Sequence, residues 1–196
     1  MDEQFQDLFK IRRNRQKVEI GNILIAEPFL KGKYFSRSVI FMVEQDHCGN
    51  VGFVLNKPMS YRASELVTEL AGIDFPVYIG GPVETNQLYY LHSHPEVGDA
   101  LHIVDGIYWG GDFAMLTRLL QEKKIKADEI RFFAGYSGWD KGQLEAELEE
   151  NSWMVGDITR ERFFGSSHED IWERSMSELG ERYRIWANFP QDPMVN

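Results

Sequence analysis

Cysteine is nearly absent from this 196-residue chain: Cys48 stands alone, so no disulfide can close within it. No run approaches the roughly 18 uninterrupted apolar residues that a membrane-spanning helix needs. There is no internal repeat and no low-complexity tract. Positive charge is in deficit. The 21 Lys and Arg stand against 31 Asp and Glu, giving a net charge of −10 and a pI near 5.0. Such a chain repels phosphate backbones and anionic membrane surfaces, which disfavours direct nucleic-acid binding. Also missing are zinc-ribbon cysteine pairs, a P-loop, a helix-turn-helix pair and a lipidation motif. Residues 1–10 carry acids where a secretion leader needs bases, so a reducing cytoplasm is the expected compartment.

What is present suits one compact domain. Hydrophobic residues make up 43% and aromatics 13%, enough for a sizeable core. Residues 1–19 are set apart as an N-terminal helix and basic arm. Phe5, Leu8 and Phe9 fall at helical spacing, and Lys10, Arg12, Arg13, Arg15 and Lys17 follow. The folded domain is expected over 20–196. Apolar runs predict strands at 23–26, 38–43, 51–55, 77–79, 88–92, 101–104, 130–134 and 152–155. The turn formers of 46–50 predict a hairpin between the second and third strands. Helices are predicted over 63–70, after Asp112 as N-cap, after Asp140 with Gln143 as capping-box partner, and over 168–179 before Gly180. Lys123 and Lys124 are expected in the last turn of the second helix, and residues 188–193 read as an extended tail. Strands cluster early and helices fall between the later ones, an α+β arrangement.

Several of these segments, in this order, are also family motifs. They are GNILIA at 21–26, FSRSVI at 35–40, GNVGFVLNKP at 49–58, GGPV at 80–83, YWGGD at 108–112, RFFAGYSGW at 131–139, GQLE at 142–145 and Ser152-Trp153. The chain resembles the AlgH/YqgE family of bacterial proteins over roughly residues 20–180. The resemblance implies a single α+β domain with a bifurcated, partly closed, mostly antiparallel sheet surrounded by helices. It implies little chemistry. Members usually carry the label of transcriptional regulator, with no established DNA-binding motif, catalytic residue or cofactor. A binding or regulatory protein is therefore expected, acting through a protein partner or a small anionic ligand, with no cofactor and no resident metal.

The candidate ligand-binding residues are Arg37, Asn56, Tyr136, Trp139 and Gln143. Arg37 can clamp an anion bidentately, and Asn56 can hydrogen-bond a ligand or its own turn. A structural role is the simpler reading of both. Trp109, Trp139, Trp153 and Tyr136 can stack on bases but more simply belong to the core. The alternative function is a small hydrolase or metal-dependent enzyme near residues 135–139. Gly135-Tyr136-Ser137-Gly138-Trp139 approaches a nucleophile elbow, expected as a tight strand-to-helix turn, but Trp139 stands where the second glycine belongs. The helix start near Gly142 offers free N–H groups to an anion, although Glu145 and Glu147 oppose one. Gly80-Gly81-Pro82 lacks the Lys of a phosphate loop. His92 and His94, with Asp99, His102 and Asp105 nearby, are metal-ligand types at loose spacing. Cys48 beside His47 has no resolving thiol. The oligomeric state is left open.

Overall fold

The computed structural model describes residues 17–165 and 168–187. The expected helix over 2–10, the basic residues Lys10 to Arg15 and the tail over 188–193 lie outside these residues. The described residues form ten strands: β1 Ile23–Ala26, β2 Val39–Gln45, β3 Gly49–Val54, β4 Pro58–Arg62, β5 Pro76–Ile79, β6 Val83–His92, β7 Leu101–Val104, β8 Ile107–Trp109, β9 Ile130–Asp140 and β10 Trp153–Gly156. Six helices accompany them among the described residues: α1 Ala63–Leu66, α2 Phe113–Gln121, α3 Gln143–Glu149, α4 Arg160–Gly165, α5 Ile171–Glu178 and α6 Glu181–Ala187. None is long and apolar enough to cross a membrane.

The sheet runs β10-β1-β2-β3-β9-β6-β8-β7, and neighbours in this order are antiparallel. It forks at β9. Phe132 to Ala134 pair in parallel with β5, which carries β4, while Ser137 to Asp140 pair with β3. The sheet is not closed into a barrel. Helices on both faces explain the near-continuous apolar run at the start of β9, because a strand covered on both faces cannot alternate with polar residues. Phe133 joins a core cluster with Phe163 of α4 and Trp172 of α5. Phe132 points the other way, among Leu116, Leu119 and Leu120 of α2. A third cluster gathers Trp139, Trp153 and Leu144 of α3.

The Gly135 to Trp139 segment is not the strand-to-helix turn that its glycines suggest. It continues β9. Those glycines serve close backbone approach instead. A Cβ on Gly80 would sit 2.1 Å from the Gly135 carbonyl oxygen, and one on Gly135, at φ +68°, 2.5 Å from that of Val83. The strand therefore runs to Asp140, and Gly142, not Asp140, is the N-cap of α3. Half of the expected capping contact survives, since the Asp140 N–H donates to Gln143 Oε1 at 3.1 Å.

Other boundaries also move. The 63–70 helix breaks at Val67, with a 3₁₀ turn over Thr68–Leu70. Lys123 and Lys124 lie beyond α2, while its Asp112 cap accepts from Met115 N–H at 3.0 Å. The last predicted helix shortens to α5, and Gly180 follows it at φ +126°. β3 stops at Val54, and Pro58 opens β4, at a first position where a missing N–H is tolerated.

Candidate functional site

The β2–β3 hairpin has an open end and a turn end, and each carries a hollow. At the open end Arg37 precedes β2 and Asn56-Lys57 follow β3. The Asn56 side chain bridges the two chains. Its Nδ2 donates to the Arg37 carbonyl at 2.8 Å and its Oδ1 accepts from Val39 N–H at 3.0 Å. Arg37 sits at φ +49°, a conformation uncommon for a side-chain-bearing residue and one that clusters at functional sites. Its guanidinium lies 4.7 Å from the centre of the buried Trp172 ring. That indole is fixed in turn by an Nε1–H bond to the Ala26 carbonyl at 2.9 Å.

Lys57 Nζ donates to the Ser36 carbonyl at 2.7 Å. Burial, and then the neighbouring Arg37 charge, hold the Lys57 ammonium below the usual lysine range. Burial likewise lowers Arg37, with Glu173 opposing. Arg37, Asn56, Lys57 and His168 border a hollow of about 230 Å³, with Glu169 and Glu173 beside them. Its wall thus carries two cations and two carboxylates around the Asn56 bridge.

The turn end has the opposite character. Cross-strand pairing puts Glu44, Val51 and Gly138 in one row. Tyr136 and Asp140 fall two residues to either side on β9, hence on the same face. Gly138 contributes no side chain, which deepens a hollow of about 340 Å³ lined also by Asp46, Trp139 and Gln143. Three carboxylates, of Glu44, Asp46 and Asp140, stand in its wall and oppose an anion near the start of α3. Trp139 and Gln143 have structural partners. Glu147 Oε2 accepts from the indole N–H groups of Trp139 at 2.9 Å and Trp153 at 2.7 Å, and Glu147 Oε1 from Gln143 Nε2 at 2.9 Å. The two indoles meet edge-to-face. The Tyr136 ring meets Tyr89 edge-on.

The five candidates thus divide. Arg37 and Asn56 share one hollow; Tyr136, Trp139 and Gln143 share another. Lys57, Trp172 and His168 were not singled out as a group by the sequence. Lys57 stands in the NKP motif beside Asn56, but His168 carries no local signal.

The remaining chemistry-bearing residues are engaged elsewhere. Ser137 is fully buried, and its Oγ–H donates to the Gly80 carbonyl at 3.0 Å, so its proton is committed and the elbow reading loses its nucleophile. His92 is buried between Tyr90 and Tyr108. Its Nδ1 accepts from His94 N–H at 3.2 Å, which leaves Nε2–H to donate to the Gly110 carbonyl at 2.9 Å. Neither nitrogen remains for a metal. Burial holds its pKa below the usual histidine value. His94 lies 2.9 Å from Glu96 and 3.5 Å from Glu129. Asp105 accepts from Arg160 N–H, and His102 packs on Tyr108. In the hairpin turn, donor atoms of Asp46, His47 and Cys48 lie within 4.8 Å of one another, all on exposed residues. Asp46 Oδ1 already accepts the N–H groups of Cys48 at 2.7 Å and Gly49 at 3.0 Å.

Known proteins share both the sequence and the architecture. A UPF0301 protein of Chlorobium limicola is 41% identical over 181 residues, covering 92% of this chain and 97% of its own. A UPF0301 protein of Parabacteroides distasonis is 40% identical over 195 residues, covering 98% of each. Among solved structures, the AlgH protein of Pseudomonas aeruginosa has the same fold at a TM-score of 0.69 and 24% identity, covering 90% of this chain and 98% of its own. A Corynebacterium diphtheriae protein does so at 0.73 and 20%, covering 89% and 94%. Residues 23–184 match the family described as DUF179, AlgH-like, and the chain belongs to that family.

Proposed function

We propose that this protein is a binding module whose ligand is a small anion, a carboxylate or a phosphate, held at the open end of the β2–β3 hairpin by Arg37 and Lys57. One observation carries the reading. Two cations on neighbouring segments are drawn into the same partly desolvated hollow, where burial lowers both and Arg37 further lowers Lys57. An anion between them relieves the repulsion and replaces lost hydration. The Trp172 ring presets the guanidinium plane, so less conformational freedom is lost on binding. The role we assign is regulatory, the anion being held between the two cations. An effect on transcription would be indirect, because a net charge of −10 opposes contact with nucleic acid.

Calorimetric titration of the full chain with inorganic phosphate and with succinate, at low salt, tests this. Saturable binding to either, weakened at least tenfold in both Arg37→Gln and Lys57→Gln, is the expected result. Absence of binding to both anions, or binding that both variants retain, overturns it.

A further inference from the structure

The anion reading leaves unused a hollow of about 460 Å³ on the other side of the fork in the sheet. Its floor is a ladder pair, Leu88 of β6 opposite Ala134 of β9, with Tyr90 next along the same face. Alanine opposite leucine leaves depth at this point. Phe113, which opens α2, packs against Tyr90 with ring centres 5.9 Å apart and forms one wall. Met59 of β4 with Leu66 and Val67 at the end of α1 forms the other.

The rim comes from an irregularity in β6. Between the Val83–Tyr136 and Leu88–Ala134 pairs, β6 advances five residues while β9 advances two. The intervening residues cannot follow the ladder, and Thr85, Asn86 and Gln87 are displaced to the mouth of the hollow. Gly135 makes the bulge possible, since a Cβ there would lie 3.1 Å from Thr85 Cα. Glu84, the acid of the bulge, is tied to the Tyr89 hydroxyl and does not line the hollow. Tyr90 offers only its ring, because its hydroxyl donates to the Gly111 carbonyl at 2.6 Å.

None of the lining residues is Asp, Glu, Lys, Arg or His. A charged ligand would leave water there without a counter-charge, at a cost the apolar walls cannot offset. What the walls do offer is apolar and aromatic surface, a flexible thioether at Met59 and a rim of uncharged amide and hydroxyl groups. That combination, at this volume, is the usual composition of a small-molecule site. We infer that this hollow binds a small uncharged molecule with a flat apolar ring and one hydrogen-bonding edge, the ring lying between Leu88, Tyr90 and Phe113 and the edge facing Thr85, Asn86 and Gln87. The site is separate from the Arg37–Lys57 hollow, and each stands or falls alone.

The test is a backbone amide NMR titration of the full chain with indole, with benzoate and benzylamine as charged comparators. Indole is expected to give saturable shifts at Leu88, Tyr90 and Phe113, half-complete at about 1 mM or below. Both comparators are expected to bind at least tenfold more weakly. Leu66→Glu, on the exposed wall, keeps the fold and weakens indole at least tenfold; Leu88→Trp fills the floor and abolishes binding. Lys57→Gln leaves indole binding unchanged, which separates this result from the anion titration. The inference is overturned if indole gives no saturable shift, if either charged comparator matches it, or if Leu66→Glu binds as the parent does. It is also overturned if the full chain carrying Phe5→Ser and Leu8→Ser binds indole at least tenfold more tightly, because the chain's own N-terminal segment would then be the occupant.

Discussion

The two ends of the β2–β3 hairpin are built from the same pair of strands and have opposite chemistry. About seven residues of β2, roughly 23 Å of extended chain, separate Arg37 from Glu44. At the open end an aromatic ring holds a cation: Trp172 of α5 lies under the Arg37 guanidinium. At the turn end an acid holds the aromatics, with Glu147 of α3 accepting from two indoles at once. Tryptophan serves as platform in one place and as the positioned group in the other. What differs is which partner the flanking helix supplies. A helix that brings a ring, as α5 does with Glu173 beside it, sets Arg37 and Lys57 against two carboxylates around one hollow. One that brings a carboxylate satisfies the donors internally and leaves only exposed acids at the rim.

This contrast can be broken at several points. Trp172→Ala should have the largest effect. The side chain is buried, and its loss should cost about 3–5 kcal/mol in urea unfolding. The same variant should weaken phosphate binding at least tenfold in calorimetry, because Arg37 loses its platform. At the other end, Glu147→Ala should cost about 1–3 kcal/mol, since it strands two indole N–H groups, and should leave phosphate affinity unchanged. A phosphate affinity that followed Glu147 would join the two ends into one site and end the contrast.

A third region, His92, supplies a pH dependence that belongs to neither end. Its imidazole is held below the usual value by burial, so the folded chain refuses a proton that the unfolded chain accepts. Above pH about 6.5 both forms are neutral and the contribution is fully present. As pH falls from there through the lowered folded value, stability should decline. Thermal melts between pH 7.5 and 5 should show this slope, and His92→Phe, which keeps the stacking with Tyr108, should flatten it. Smallest of all should be the stability changes in Lys57→Gln and Glu44→Gln, each within about 0.5–1 kcal/mol by chemical denaturation. Lys57→Gln alone should reduce phosphate binding.

Local rules reached those parts of the fold whose signals are local. Residues 23–26 and 101–104 are strands as their composition suggests, and α2 starts after its Asp112 cap. β4 was not visible, because Pro58 reads as a terminator and the strand is almost wholly exposed, with no apolar alternation to mark it. The reading of 135–139 as a turn took glycine as a sign of reversal. Here Gly135 is needed because the backbone of Gly81, Val83 and Thr85 crowds its Cβ position, a demand that only the three-dimensional pairing creates. The site divides in the same way. The Arg37–Asn56 pairing lies within one hairpin and could be anticipated from two adjacent motifs. Trp172 stands 115 positions beyond Lys57, and no sequence pattern announces that contact.

The forked strand sets an order of events during synthesis. Among the described residues β9 joins β3, β5 and β6, and its partners on β3 precede it by as many as 91 positions, from Gly49 to Asp140. At ordinary rates of protein synthesis that interval lasts about 5–20 s. Late in it, β3, β5 and β6 have all been made while the edges that β9 covers still lack their partner. Both halves of the sheet are then templates for any neighbouring chain. The emergence of residues 130–140 closes these edges in one step, so amide exchange in the finished protein should be slowest at Phe132 to Ala134, where the strand is paired on both sides.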